Sequence, residues 1–328
     1  MKLVSLFVSV YVTAVCCQSV SKADWKSYKM KHNKIYSKGE DDVRNAIFLA
    51  KDKQLKLHNS QGHSYQLEHN KFSDLSHEEL TRYLGLNASL APSARFLQSF
   101  NVEFENRALP TSLYYHNDTC MPPVKDQGGC GSCWAFTAIT PLEFAQCKNK
   151  TKSVVLLSEQ QLVDCDQING GCTGGWYTDA WDYLIAAKGS AEQSFYPYTG
   201  VQGTCKYCPE CACMIGAKVS TYGYVRSNNA TAMQIALQKY GPLAVAIAVV
   251  NPFFSYSSGV YTDKTCDTAN LNHGVVVVGW GILNKVKYWI VRNSWGPGWG
   301  LKGYIFIQRG VNKCKMELYP AYVVPAAS

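Results

Sequence analysis

The residues best suited to chemistry lie in Gln127-Gly128-Gly129-Cys130-Gly131-Ser132-Cys133-Trp134-Ala135-Phe136. Cys133 falls at the start of a predicted helix, behind glycines that leave its backbone amides bare. A thiolate is the nucleophile in cysteine chemistry, and the partial positive charge at a helix N-terminus lowers a thiol's pKa. Cys133 is therefore the candidate nucleophile, and it needs a base and a group to orient that base. His273 opens the run His273-Gly274-Val275-Val276-Val277-Val278-Gly279, which reads as a buried strand with the histidine at its mouth. Asn293 follows a second strand-like run, Lys287 to Arg292, and begins Asn293-Ser294-Trp295-Gly296-Pro297-Gly298-Trp299-Gly300. Taken singly, a histidine beside an apolar strand is more often a core residue, and most cysteines of secreted proteins are paired. Three such groups in this order and context favour the catalytic reading.

The Cys-Gly-Ser-Cys-Trp run at 130–134 resembles the signature of papain and the cathepsins. His273 lies about 140 residues beyond Cys133, within the spacing of that family, and Asn293 slightly past it. On these motifs the chain resembles a papain-family cysteine protease, cathepsin L-like. The resemblance implies an α+β, two-lobed fold with a helical lobe, a β-barrel-like lobe and the active site in the cleft between them. It further implies a Cys133–His273 thiolate–imidazolium pair, an imidazole fixed by Asn293, and an oxyanion held by the Cys133 amide and the Gln127 side chain. Trp295 is either a shield over the Asn293 contact or simply core. By the same resemblance Gly174 and Gly175 bind substrate backbone, followed by Trp176, while Ala246, Leu271 and Tyr319 line the S2 pocket. For each, ordinary packing is an open alternative. No insertion resembles the occluding loop or minichain of exopeptidase relatives, so an endopeptidase without cofactor is expected.

The elements that must position these groups follow from pattern. One helix starts at Cys133, a second is opened by Ser158 with Gln161 as a capping box, and Asp179 to Ala187 suggests a third. Later come short apolar runs, Leu243 to Val250, Val275 to Trp280, Tyr288 to Val291 and Tyr304 to Ile307, which read as strands. The expected mature domain is 109–328, with a helical lobe over about 109–215 and a β-rich lobe over about 216–328. Before it, 18–108 is charged and cysteine-free, with helical periodicity through Trp25, Tyr28, Tyr36, Val43, Ile47, Phe48, Leu55 and Leu57. It resembles the inhibitory propeptide of cathepsin L-like enzymes. Glu40, Arg44, Phe48 and Asn59 match one interspersed motif, with Leu55 for isoleucine and Lys51 for asparagine, and Asn70-Lys71-Phe72-Ser73-Asp74 matches a second. Leu86 to Arg107 is expected to cross the cleft, with cleavage between about Asn106 and Leu109.

The 328 residues carry a formal net charge of +8 without a basic run, which argues against nucleic acid. Lys2 and the apolar stretch Leu3 to Cys17 read as a signal peptide over 1–17, too short to span a bilayer. A secretory route, lysosomal or extracellular, is consistent with four sequons, at Asn87, Asn117, Asn149 and Asn229, and with 14 cysteines. Family resemblance pairs Cys130–Cys172, Cys165–Cys205 and Cys266–Cys314, each worth roughly 3–4 kcal/mol on the chain-entropy model. It leaves Cys120, Cys147, Cys208, Cys211 and Cys213. Four sulfurs within Cys205 to Cys213 invite a zinc reading, but the oxidising compartment favours further disulfides and no metal. The expected partners are protein and peptide substrates, the chain's own propeptide and cystatin-type inhibitors, with no membrane span and a monomeric state. A non-catalytic scaffold is the alternative class; intact Cys133, His273 and Gln127 argue against it, and labelling by an epoxysuccinyl inhibitor discriminates.

Overall fold

A computed structural model describes residues 24–93 and 109–327. The expected signal peptide and the expected cleavage region up to residue 108 lie outside the described residues. The first described segment holds α1 (Trp25–Lys31), α2 (Lys38–Ser60), β1 (Tyr65–Leu67) and α3 (His77–Thr81). Asp24 and Ser76 cap α1 and α3 through side-chain oxygens, and Glu79 returns a bond to the Ser76 amide. The periodicity is only partly a burial pattern. Val43 and Leu57 are exposed on α2, and Tyr36 precedes that helix, its hydroxyl donating to Asp74.

After a short strand β2 (Leu113–Tyr114), three helices follow: α4 (Cys133–Gln146), α5 (Glu159–Cys165) and α6 (Tyr177–Ala186). Every residue of α4 is buried, so this helix is the core of its lobe rather than a surface element. Ser158 does cap α5, accepting from the Gln161 amide at 3.0 Å. The expected reciprocal bond is absent, because the Gln161 side chain instead joins Gly189 O and the Ala191 amide. Helix α6 begins two residues before the expected Asp179.

Two short strands, β3 (Ser190–Ala191) and β4 (Ile215–Ala217), pair with each other. Next come β5 (Val219–Tyr224), α7 (Ala230–Tyr240), β6 (Leu243–Ile247), α8 (Asn251–Phe254), β7 (Tyr256–Tyr261), β8 (His273–Leu283), β9 (Val286–Arg292), β10 (Tyr304–Gln308) and β11 (Ala321–Pro325). One sheet orders them β1-β7-β10-β9-β8-β6-β11-β5, with β2 on β8. The apolar run seen in the sequence is β8, buried from His273 through Gly281. Asn284 and Lys285, both at positive φ, close the β8–β9 hairpin.

The first segment is built into both cores. Leu55, Tyr65, Leu67, Phe72 and Leu80 join the cluster of the sheet lobe, and Leu86 joins that of the helical lobe. Disulfides link Cys130–Cys172, Cys165–Cys205 and Cys266–Cys314, and also Cys120–Cys147 and Cys208–Cys211, with Cys213 exposed and unpaired. No cluster of metal-binding side chains occurs among the described residues, and no helix among them is long and apolar enough to cross a membrane.

Candidate active site

Cys133 is the first residue of α4 and His273 the first of β8, so each side chain stands at the end of a buried element facing the other lobe. The Cys133 sulfur accepts the Gly274 amide at 3.4 Å, which ties it to the residue after His273. His273 Nε2 lies 2.8 Å from Asn293 Oδ1. The same Asn293 atom accepts the Ser294 amide at 2.8 Å and is therefore the oxygen. His273 must then carry its proton on Nε2, which leaves Nδ1, buried and without a partner, as the free basic nitrogen. Trp295 is fully buried with its ring centroid 4.8 Å from that of His273 and stacks on Phe254, so it is at once cover and core.

Gln127 is fully buried and held from several directions. Its amide donates to Ser294 O at 2.8 Å, its Oε1 accepts from Ser294 Oγ at 2.6 Å, and its Nε2 donates to Cys130 O at 2.9 Å. At its other end the Gln127 amide faces two carbonyl oxygens, Cys130 O and Tyr83 O, which can only accept, so that end is Nε2 and it points into the cleft.

The first segment fills this cleft. Gly85 N donates to Cys133 Sγ at 3.3 Å, while Tyr83 O accepts from Gln127 Nε2 at 3.2 Å. Leu86 N reaches Asn272 O at 3.1 Å, and Gly175 exchanges bonds with Gly85 O and Asn87 N, each at 2.9 Å, in a parallel bridge. The crossing therefore starts at Tyr83, ahead of the expected Leu86. The chain offers the sulfur an N–H rather than a carbonyl carbon, so a covalently uncut segment can rest there. Leu86 sits in a cluster with Trp176, Ala246, Leu271 and Tyr319. Trp176 itself is wholly buried, its amide held by Asn169 Oδ1 at 2.7 Å and its ring 5.4 Å from Tyr319. Gly174, at φ 128°, adopts a conformation that disfavours any side chain.

Burial under the segment pushes the Cys133 thiol up to about 11, against the lowering effect of the Gly274 and Gly85 amides. Burial also pulls His273 down to about 4, opposed by its bond to Asn293. Both shifts favour the uncharged thiol and imidazole while the cleft is covered.

Among the expected glycosylation sites Asn87, Asn117 and Asn149 are exposed, whereas Asn229 is half-buried and caps α7. Sequence reasoning missed Asn272, Ser294, Ser132 and Tyr198. Ser132 and Ser294 were visible only as neighbours of a motif, and nothing near Tyr198 in the sequence marks it.

Residues 109–324 match the papain family cysteine protease family, and residues 25–80 match the cathepsin propeptide inhibitor domain. The chain belongs to the papain family of cysteine proteases. Cathepsin K of Mus musculus is 36% identical over 308 residues, covering 91% of this chain and 92% of that protein. Digestive procathepsin L2 from Tenebrio molitor larval midgut superposes with a TM-score of 0.83 at 34% identity, covering 92% and 98% of the two chains. Digestive procathepsin L 3 of the same larvae gives 0.81 at 32%, covering 92% and 97%. The protein is thus a cysteine-type endopeptidase zymogen with a papain-like fold, and the segment in its cleft is a propeptide.

Proposed function

We propose that Cys133 is the nucleophile, His273 Nδ1 its base, Asn293 the group that orients the ring, and Gln127 Nε2 with the Cys133 amide the oxyanion donors. The observation that carries this reading is the covered cleft: one propeptide backbone lies on Cys133 Sγ and on Gln127 Nε2 at once. Once the propeptide leaves, water returns and the burial that holds the pair neutral is relieved, so thiolate and imidazolium form. The thiolate attacks a peptide carbonyl, the oxyanion takes the place of Tyr83 O on Gln127, and His273 protonates the leaving amine. Water then releases the acyl group. The mature domain begins near Leu109, and the protein travels the secretory pathway, a route its disulfides and its sequons support.

We further propose an aliphatic P2 preference. Leu86 lies among Ala246, Leu271 and Tyr319, an apolar setting that suits an aliphatic side chain and penalises a buried guanidinium. A P2 library should show Val and Leu favoured over Arg, and Tyr319→Ala should deepen the pocket and raise the Phe/Leu ratio by about 10-fold or more. Strong Arg preference would refute the assignment of the pocket. Epoxysuccinyl labelling of Cys133 after acid activation tests the nucleophile; an active enzyme labelled elsewhere refutes it.

A further inference from the structure

Tyr198 stands between the two groups proposed to bind the oxyanion. Its hydroxyl lies 2.7 Å from Gln127 O and 2.7 Å from Ser132 Oγ. A carbonyl oxygen can only accept, so the single phenolic proton goes to Gln127, and Ser132 must donate its own proton to the Tyr198 oxygen. The chain of bonds Ser132 → Tyr198 → Gln127 therefore has one direction. Burial raises the Tyr198 pKa above its ordinary value, so the phenol keeps that proton throughout the pH range of the enzyme.

Ser132 precedes α4 as its N-cap residue, where a serine ordinarily accepts a bond from an amide of the first turn. Here it caps nothing, at φ −101° and ψ 15°. Because Ser132 turns to Tyr198, its oxygen does not cap the N2 and N3 amides of Trp134 and Ala135, and the start of the helix that carries Cys133 is tied to the tyrosine instead. Gln127 leads into α4 through Gly128 and Gly129, where a Cβ meets nothing within 4 Å, and packing resumes only at Cys130, which is buried and disulfide-bonded to Cys172, so the Gln127 carbonyl has no side-chain support from the residues next to it. Phe136, one turn into α4, meets the Tyr198 ring edge-on with centroids 4.9 Å apart. The ring thus references the Gln127 carbonyl to the helix that carries the nucleophile.

We propose that Tyr198 is a positioning residue that fixes the separation between the Cys133 N–H and the Gln127 side-chain donor, acting through Ser132 on one side and the Gln127 carbonyl on the other. The proposal rests on the assignment of those two groups as the oxyanion site. Its signature is selective. A misplaced oxyanion donor weakens the tetrahedral transition state but does not alter a reaction of the same thiolate that forms no oxyanion.

The test uses Tyr198→Phe, which keeps the ring against Phe136, and Ser132→Ala, which removes the other arm, each expressed as the full zymogen and then activated. For a peptide amide substrate, kcat should fall about 5- to 30-fold with KM changed less than about twofold, a smaller loss than removal of a direct donor. Alkylation of Cys133 by iodoacetamide, in which sulfur bonds to the methylene carbon as iodide leaves, should keep its rate and pH profile. A kcat within about twofold of wild type in both variants overturns the proposal. So does a loss of alkylation rate in step with kcat, which would place the effect on the thiolate or on the whole fold. A wild-type chain that hydrolyses peptide but is not alkylated at Cys133 overturns the underlying site assignment instead.

Discussion

Cys133→Ser should leave the zymogen folded, with an unchanged melting temperature, and lower hydrolysis by at least about a thousandfold after propeptide removal. Asn293→Ala should be milder, because it frees the imidazole without deleting a reacting atom. Both read out in steady-state kinetics on one peptide substrate, and an Asn293→Ala enzyme as dead as Cys133→Ser would give the asparagine a larger role than orientation. The side chains proposed to touch the reacting atoms were legible in the sequence because each sits in a local motif whose residue types have few other uses together. Tyr198 and Ser294 were not. Their work is a hydrogen bond to the backbone or side chain of Gln127, 71 and 167 residues away in sequence, and a tyrosine or serine with such a bond looks like any other. The charge state of the pair was also hidden, since it follows from how completely the propeptide buries it.

The pH response is expected to lie in the propeptide elements. Five of the seven histidines of the chain, His32, His58, His63, His69 and His77, lie there. Burial lowers the pKa of three of them below the ordinary 6.5: His32 near Lys31, Lys34 and Asp74, His58 near His63 and Asp263, and His69 near Asp52, Lys56 and Lys51. A folded state that prefers the neutral ring contributes stability above pH 6.5 and loses it as pH falls through the folded value, because the released segment binds the proton first. Glu79, paired with Arg44, is held down to about 2. Its contribution is present above about 4.5 and fades only between there and 2, and its partial exposure reduces it further. Propeptide release should therefore begin as pH drops below about 6.5, on the histidines, ahead of any carboxylate. A His58→Gln/His69→Gln zymogen should need a pH lower by about half a unit for the same labelling rate of Cys133. An unchanged onset would return the switch to the carboxylates, Glu79 among them. Helical structure in this segment was foreseen from periodicity, whereas its caps at Asp24 and Ser76 were not. The exposure of Val43 and Leu57 was not, because α2 packs along a narrower stripe than its apolar residues suggest.

At the scale of the molecule, the propeptide packs into the cores of both lobes and passes Cys133 at Gly85. The two-lobed architecture was implied by the family resemblance, with the change to strand patterning after about residue 215 in keeping with it; the crossing was expected from Leu86, but its start at Tyr83 could not be read from the sequence, since it depends on backbones from distant parts of the chain meeting. At that point Gly85 crosses Gly131, and a Cβ on Gly85 would stand 1.8 Å from Gly131 O and 2.1 Å from its carbonyl carbon. Neither atom can yield easily: Gly131 N is bonded to Cys172 O at 3.0 Å, and Cys130 beside it is joined to Cys172 by a disulfide. Gly85→Ala must therefore lift the propeptide from the cleft and break the Gly85 contact with Cys133. Overpacking of this kind costs about 1–3 kcal/mol, which raises the open population about 5- to 150-fold. The expected outcome is a zymogen labelled at Cys133 by an epoxysuccinyl inhibitor at pH 7.5, where the unmodified zymogen reacts slowly. The activated forms of the two should have identical kinetics, because residue 85 leaves with the propeptide. Equal labelling of the two zymogens at that pH would show that the segment clears Gly131 by another path and that its grip lies elsewhere, in the β1–β7 pairing and the apolar contacts of Phe72.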